Sequence, residues 1–220
     1  MAQEDLQRGM SLLLVEGIDA YKFFINACAP NAFNTDKRIQ VLNFGGITEL
    51  TMYLKNLKKR KFFDEVPAIG IVRDVETNAE RAISSIKHSL EINDFSVPLE
   101  PYRFVNGNPK VCFGLLPGSI TDGKYDDGTL EDLCMQTVKE GSENIILKET
   151  NEYLLKVDKV SSLRYKHKSF LHAYLSVKNE YVGMKIGEAA KAGAWDWNHQ
   201  SLDKLRDMMS RLEKCACINS

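Results

Sequence analysis

SLLLVEGIDAYKFFINACA (residues 11–29) joins two kinds of pattern with no linker between them. Residues 11–17 form a continuous apolar run that stops at a carboxylate, Glu16, and a glycine, Gly17. Such a run predicts a central strand buried on both faces, the habit of parallel sheets. Beyond it, Ala20, Phe23, Phe24 and Ala27 recur at helical spacing, so the strand is expected to turn directly into a helix at Gly17.

The same unit recurs downstream. RIQVLNFGG (residues 38–46) reads as a second strand ending in a glycine pair. The helix expected after it, from residue 48 to about 61, has Leu50, Tyr53, Leu54 and Leu57 on one face. PAIGIVRD (residues 67–74) is a third strand, again closed by a carboxylate, and the helix over residues 79–91 runs through Ile83, Ile86 and Leu90. KVCFGLLP (residues 110–117) is a fourth strand, reached through a loop rich in Pro, Asn and Gly. Past Gly118 a polar loop, SITDGKYDDGT, gives way to helices expected near residues 130–139, 144–157, 161–177 and 201–215. The expectation is an α/β fold, a parallel sheet flanked by helices over residues 8–120. A mostly helical extension over residues 121–220 packs on that core as one unit.

A chain of 220 residues with 44% apolar and 27% charged residues suits one globular domain with a sizeable core. Its 29 basic and 30 acidic residues give a net charge of -1, so no bulk positive field advertises nucleic-acid binding. Carboxylates gathered around metal ions would cancel a basic groove in that sum, so local charge carries more information. Five cysteines, at positions 28, 112, 134, 215 and 217, form no disulfide framework and suit a reducing cytoplasm. The N-terminus has no apolar signal core, and no run approaches the ~20 residues of a membrane span, so a cytoplasmic location without membrane contact is expected.

Ligands of open parallel sheets bind at the carboxyl ends of the strands. Glu16 stands there after the first strand, Asp74 and Glu76 after the third. Carboxylates from separate segments are what a hard divalent cation takes, with water and phosphate completing its shell. The plain structural reading makes each of them, and Asp19, a cap or turn residue. That reading leaves unexplained why mutually repelling charges should gather at two strand ends.

LLLVEGIDAYKFF resembles the first motif of Toprim domains, an apolar strand followed by Glu-Gly, and IGIVRDVETN resembles the second, an apolar strand followed by Asp-x-Asp. The resemblance implies a Toprim-like, Rossmannoid sheet. It further implies acid-base chemistry at Glu16 and magnesium or manganese held by Asp74 and Glu76. Two departures stand out: Glu76 replaces the second aspartate, and Ala20 occupies a position often acidic in the family, a role that falls to Asp19. GTLEDLC, KHKSFLHAYL and GEAAKAGAWDWNH resemble a stand-alone Toprim-like family of unknown function from bacteria and archaea. The chain is distantly similar to OLD-type nucleases and to ribonucleases of ribosomal-RNA maturation, and the OLD-type resemblance adds Glu131 as a further metal ligand and Lys166 or Lys168 as the catalytic lysine. The expected activity is metal-dependent phosphodiester cleavage of DNA or RNA, with a role as a defence effector beside a partner ATPase as its expected setting. The alternative is a nucleic-acid-binding or regulatory module with weakened catalysis.

Lys166, His167, Lys168 and His172 are the expected nucleic-acid contacts, against the plain reading of a solvated basic face. Glu131 and Asp132 can equally serve the dipole of a helix capped by Thr129. Trp195 and Trp197 with His199 offer either a base-stacking platform or core packing for a terminal helix. KNLKKRKFF (residues 55–63) reads as the exposed end of a helix, and Cys215 with Cys217 as incidental thiols. No Gly-x-Gly-x-x-Gly, P-loop lysine or nucleophile elbow is present. Self-association is left open.

Overall fold

The apolar runs assemble as adjacent strands, because each is buried on both faces, and the central two pair through their backbones on both sides. In the computed structural model, which describes residues 5–35, 37–46, 48–138 and 142–218, β1 (Ser11–Glu16), β2 (Ile39–Gly45), β3 (Ala68–Asp74) and β4 (Lys110–Leu116) form one parallel sheet in the order β2-β1-β3-β4. The helices are α1 (Gly17–Cys28), α2 (Leu50–Leu57), α3 (Ala79–Glu91), α4 (Leu130–Gln136), α5 (Ser142–Ser161), α6 (Lys166–Ser176), α7 (Ile186–Lys191) and α8 (Asp203–Ile218). The fold is therefore α/β, with a Rossmann-like parallel sheet and a helical C-terminal region.

Side-chain alternation along the strands sorts the core into two layers. Leu12, Leu14, Ile69 and Ile71 face α2 and α3, meeting Leu54 and Ile86. Leu13, Val15 and Val72 face the other way, into a cluster holding Phe23 and Phe24 of α1, Tyr174 of α6, and Met208 and Leu212 of α8. Gly70 opens the space α8 needs: a Cβ there would lie 2.7 Å from both Leu212 Cδ1 and Met208 Cε. Ser11 Oγ donates to the Leu212 carbonyl at 2.7 Å, tying the first strand to the last helix. Trp195 and Trp197 belong to this cluster, with Trp197 ringed by Phe23 and Phe33, so they pack the core rather than presenting a stacking surface. His199 accepts from the Ser201 N–H and caps the short 3-10 turn before α8.

Local chemistry moves several element boundaries. α2 stops at Leu57 instead of near residue 61, because Lys59 and Arg60 bond back three residues and Phe62 takes a left-handed φ of 69°. In the basic run, Lys58 lies over Phe95, Arg60 over Tyr53 and Lys61 over Phe62. The helix expected over residues 130–139 ends at Gln136, and Lys139 lies outside the described residues. α5 runs on to Ser161. The helix expected from residue 161 starts at Lys166, after Ser162 turns left-handed and Asp158 accepts the Leu163 N–H at 2.8 Å. The loop SITDGKYDDGT contains a hairpin, β5 (Ile120–Thr121) and β6 (Lys124–Tyr125), whose Asp122-Gly123 turn has positive φ at both residues. Among the described residues no helix is long and apolar enough to cross a membrane.

The chain leaves β1 for β2 on one side and returns to β3 on the other. β1 and β3 thus flank the point where the strand order reverses, the place at which open α/β sheets leave a crevice.

Candidate functional site

The ends of β1 and β3 open into a cleft of about 640 Å³ whose walls include Glu16, Asp19, Asp74, Glu76, Glu131, His167 and Lys168. Glu16 arrives there through a register shift between Val15 and Glu16. Gly17, at φ 81°, then turns the chain into α1. Asn43 of β2 fastens this corner, its side-chain oxygen accepting from Gly17 N–H at 3.1 Å and Gly45 N–H at 2.8 Å. Asp19 lies in the first turn of α1, where the helix dipole favours an acid, while Ala20 is buried against the core.

Glu16 faces the buried Arg73. Its Oε2 lies 3.5 Å from Arg73 Nε, an ion-pair contact but not a hydrogen bond, and both atoms are buried with no hydrogen-bond partner. Burial pushes the Glu16 carboxyl above the ordinary range, Arg73 draws it back, and Glu76 pushes it up again. Asp74 leaves β3 on the opposite face and accepts the Leu130 N–H at 2.9 Å, at the start of α4. Burial first, then the charges of Glu131 and Glu16, push its carboxyl up to about 8 against the pull of that N–H, with Glu76 adding to the rise. The same negative field reaches Cys134 beneath the cleft. Its thiol is held well above the usual value by burial and then by Glu131, Asp74, Asp132 and Asp19.

Glu76 is exposed and held at φ 60°, a conformation uncommon for a residue with a side chain. Two backbone hydrogen bonds with Gly128, each 2.8 Å, impose it and draw the chain before α4 against the chain after β3. Asp132, in the first turn of α4, then reaches back to the N-cap residue and accepts the Thr129 N–H at 2.7 Å, closing a capping box. With the cap role taken by Asp132, the neighbouring Glu131, 5% exposed, turns into the cleft.

The amino-terminal end of α6 forms the opposite wall. His167 Nδ1 pairs with Asp132 Oδ1 at 2.7 Å, and Lys168 Nζ lies 3.8 Å from Glu131 Oε1. Lys166, though adjacent, pairs with Asp158 of α5 at 2.6 Å and lines a smaller neighbouring pocket. His172 is exposed but does not line the cleft. Arg164 and Tyr165 do, the guanidinium 5.2 Å from the ring centroid at the rim. Neither belongs to a motif in the sequence, and the basic residues next to them are their only local signal.

Among the described residues no three His, Cys, Asp or Glu side chains approach closely enough to enclose a metal ion by themselves. The site offers instead a cleft of separated carboxylates facing a lysine and a carboxylate-anchored histidine. This donor set suits a dication that keeps much of its shell for water and substrate oxygens.

No curated protein and no solved structure matches the chain. A family model, described as "Protein of unknown function (DUF3226)", matches residues 10–214, a span that includes every residue of the cleft, and the chain belongs to that family.

Proposed function

We propose that the chain is a magnesium- or manganese-dependent enzyme that cleaves phosphodiester bonds in DNA or RNA. One observation carries this reading: Glu16, Asp74, Glu76 and Glu131 converge from three separate segments on one cleft, opposite His167 and Lys168. An all-oxygen, anionic donor set fits a hard dication. Glu16 Oε2, which has no hydrogen-bond partner, and the carboxyl of Asp74, raised by its neighbours, mark where positive charge would relieve the site. The resemblance of the two strand ends to Toprim motifs supports the same assignment.

Asp74 and Glu76 would hold the ion, with Asp19 and Glu131 on the cleft walls as further oxygen donors. When bound, the ion polarises the phosphate and makes water more acidic. Glu16, partly buried and shifted toward neutrality, moves the proton of the attacking water. Lys168 offsets charge developing on the phosphate oxygens. Asp132 fixes the ring of His167 and leaves its second nitrogen for substrate. Lys166 takes no part here, because Asp158 engages it.

The test is cleavage of labelled single- and double-stranded DNA and of tRNA with magnesium or manganese. The parent protein should cut at least one substrate, and Glu16→Gln, which removes the proton-transfer group, and Asp74→Asn, which removes an ion ligand, should each lose at least about 100-fold. Equal rates in all three proteins would overturn the proposal. A binding or regulatory module is the second reading, favoured by the exposure of Glu76 and by the separation of the carboxylates. Tight, metal-independent nucleic-acid binding without turnover would decide for it.

A further inference from the structure

Away from the cleft, α5 carries a surface that the proposed chemistry does not use. The helix has 20 residues, about 30 Å in length, and its principal neighbour is α6. Ile146 and Leu147 turn toward the core. On the outward side, Ile145, Glu149, Tyr153, Lys156 and Val160 fall within an arc of about 80°, at roughly 100° per residue. All five are exposed. Ile145 is 67% exposed, Tyr153 60% and Val160 89%, so these three contribute little to the packing of a single copy.

The two charges in the stripe are also unspent. On the same helix Lys148 pairs with Glu152, and Asp158 with Lys166, whereas Glu149 and Lys156 have no ion-pair partner among the described residues. Along the helix the stripe reads apolar, acid, aromatic, base, apolar. Read backwards it keeps its apolar and aromatic positions and exchanges acid for base. That is the pattern an isologous contact requires, since each residue then meets its complement across a two-fold axis.

We propose that α5 is the interface of a homodimer in which the α5 helices of two copies pair antiparallel, with the two-fold axis between Glu152 and Tyr153. Each Glu149 then lies opposite the partner's Lys156, giving two ion pairs, and each Ile145 lies opposite the partner's Val160. A receiving surface exists at that end: Ile145, Tyr153, Ala173 and Val177 line an apolar groove of about 350 Å³ between α5 and α6, and the partner's Val160 fits it. A parallel pairing would set Glu149 against Glu149 and Lys156 against Lys156, which charge repulsion opposes. One helix pair and one groove place the contact at the small end of specific interfaces, so the dimer is concentration-dependent. The inference does not rest on the proposed activity.

Sedimentation equilibrium from about 1 µM to about 300 µM, a range that brackets weak association, tests it. The parent protein should show a monomer-dimer equilibrium. Glu149→Lys and Lys156→Glu, each alone, should raise its dissociation constant by about tenfold or more. The double exchange E149K/K156E should return the constant to near the parent value. An equimolar mixture of the two single variants should also dimerise, because each supplies the charges that the other lacks. Four outcomes would each overturn the proposal: a monomer throughout the range, single variants that dimerise like the parent, a double exchange no better than the single ones, or a mixture that stays monomeric.

Discussion

Asp74 is opposed by burial and by the charges of Glu131, Glu16 and Glu76, and only the Leu130 N–H favours its ionised form. Without a cation this arrangement costs stability, and the proposed cation would turn it into a source of stability. Asp74→Asn keeps the acceptor for Leu130 while removing the charge. In EDTA its melting temperature should equal or exceed the parent's. A dication at 100 times its dissociation constant stabilises a folded protein by about 2.7 kcal/mol, or roughly 5–10 °C for a chain of this size. The parent should gain that from magnesium or manganese and Asp74→Asn should lose most of it, as differential scanning calorimetry would read. Equal gains in both proteins would remove Asp74 from the ion site. Glu16 and Asp74 were legible because each closes an apolar run, a position that fixes its place at the sheet edge before any tertiary contact is known. The different partners of Lys166 and Lys168 were not, since they depend on Asp158 of α5 being within reach of one side chain and Glu131 within reach of the other.

Among the elements, α4 has seven residues, too short to persist on propensity alone, so its capping matters. Asp132 does two jobs there, accepting the Thr129 N–H and holding His167 of α6. Asp132→Ala should cost about 0.5–2 kcal/mol, the usual range for a lost capping interaction, and lower the melting temperature by roughly 1–8 °C. His167→Ala, at an exposed position, should change stability by less than about 0.5 kcal/mol and act on substrate turnover instead. The same cost from both substitutions would mean that the pair is structural. The acids at the start of α4 could be read in the sequence, and the resemblance to OLD-type nucleases pointed to Glu131, but the residue pattern alone did not separate Glu131 from Asp132. That choice is made by the Glu76–Gly128 bridge, a contact across about fifty residues of chain that leaves no local pattern. The Asp122-Gly123 hairpin, by contrast, carried a local signal in its turn residues, hidden by the polar residues around it.

At the level of the whole molecule, the sheet has two apolar faces, and the last helix covers part of one of them. α8 brings Leu205, Met208, Met209 and Leu212 into the cluster formed by Leu13 and Val15 of β1 and Val72 of β3. Gly70 makes the close approach possible, and Ser11 bonds to the Leu212 carbonyl. The parallel sheet was legible because strand alternation with helices is a repeated local pattern. The docking of α8 was not, since an amphipathic stripe does not say which surface it covers. A core leucine of this kind costs about 2–5 kcal/mol on truncation to alanine, so Leu212→Ala should lower the melting temperature by roughly 4–20 °C. A chain ending at Leu202 loses the whole stripe and exposes Leu13, Val15 and Val72 together, which should abolish the cooperative transition rather than shift it. Gly70→Ala asks the ends of two flexible side chains to move and should cost less than Gly70→Val, whose second and third carbons meet the same atoms. If the shortened chain still melted cooperatively within a few degrees of the parent, α8 would be an appendage. The sheet face it covers would then have to be stabilised by α1, α4, α6 and α7 alone.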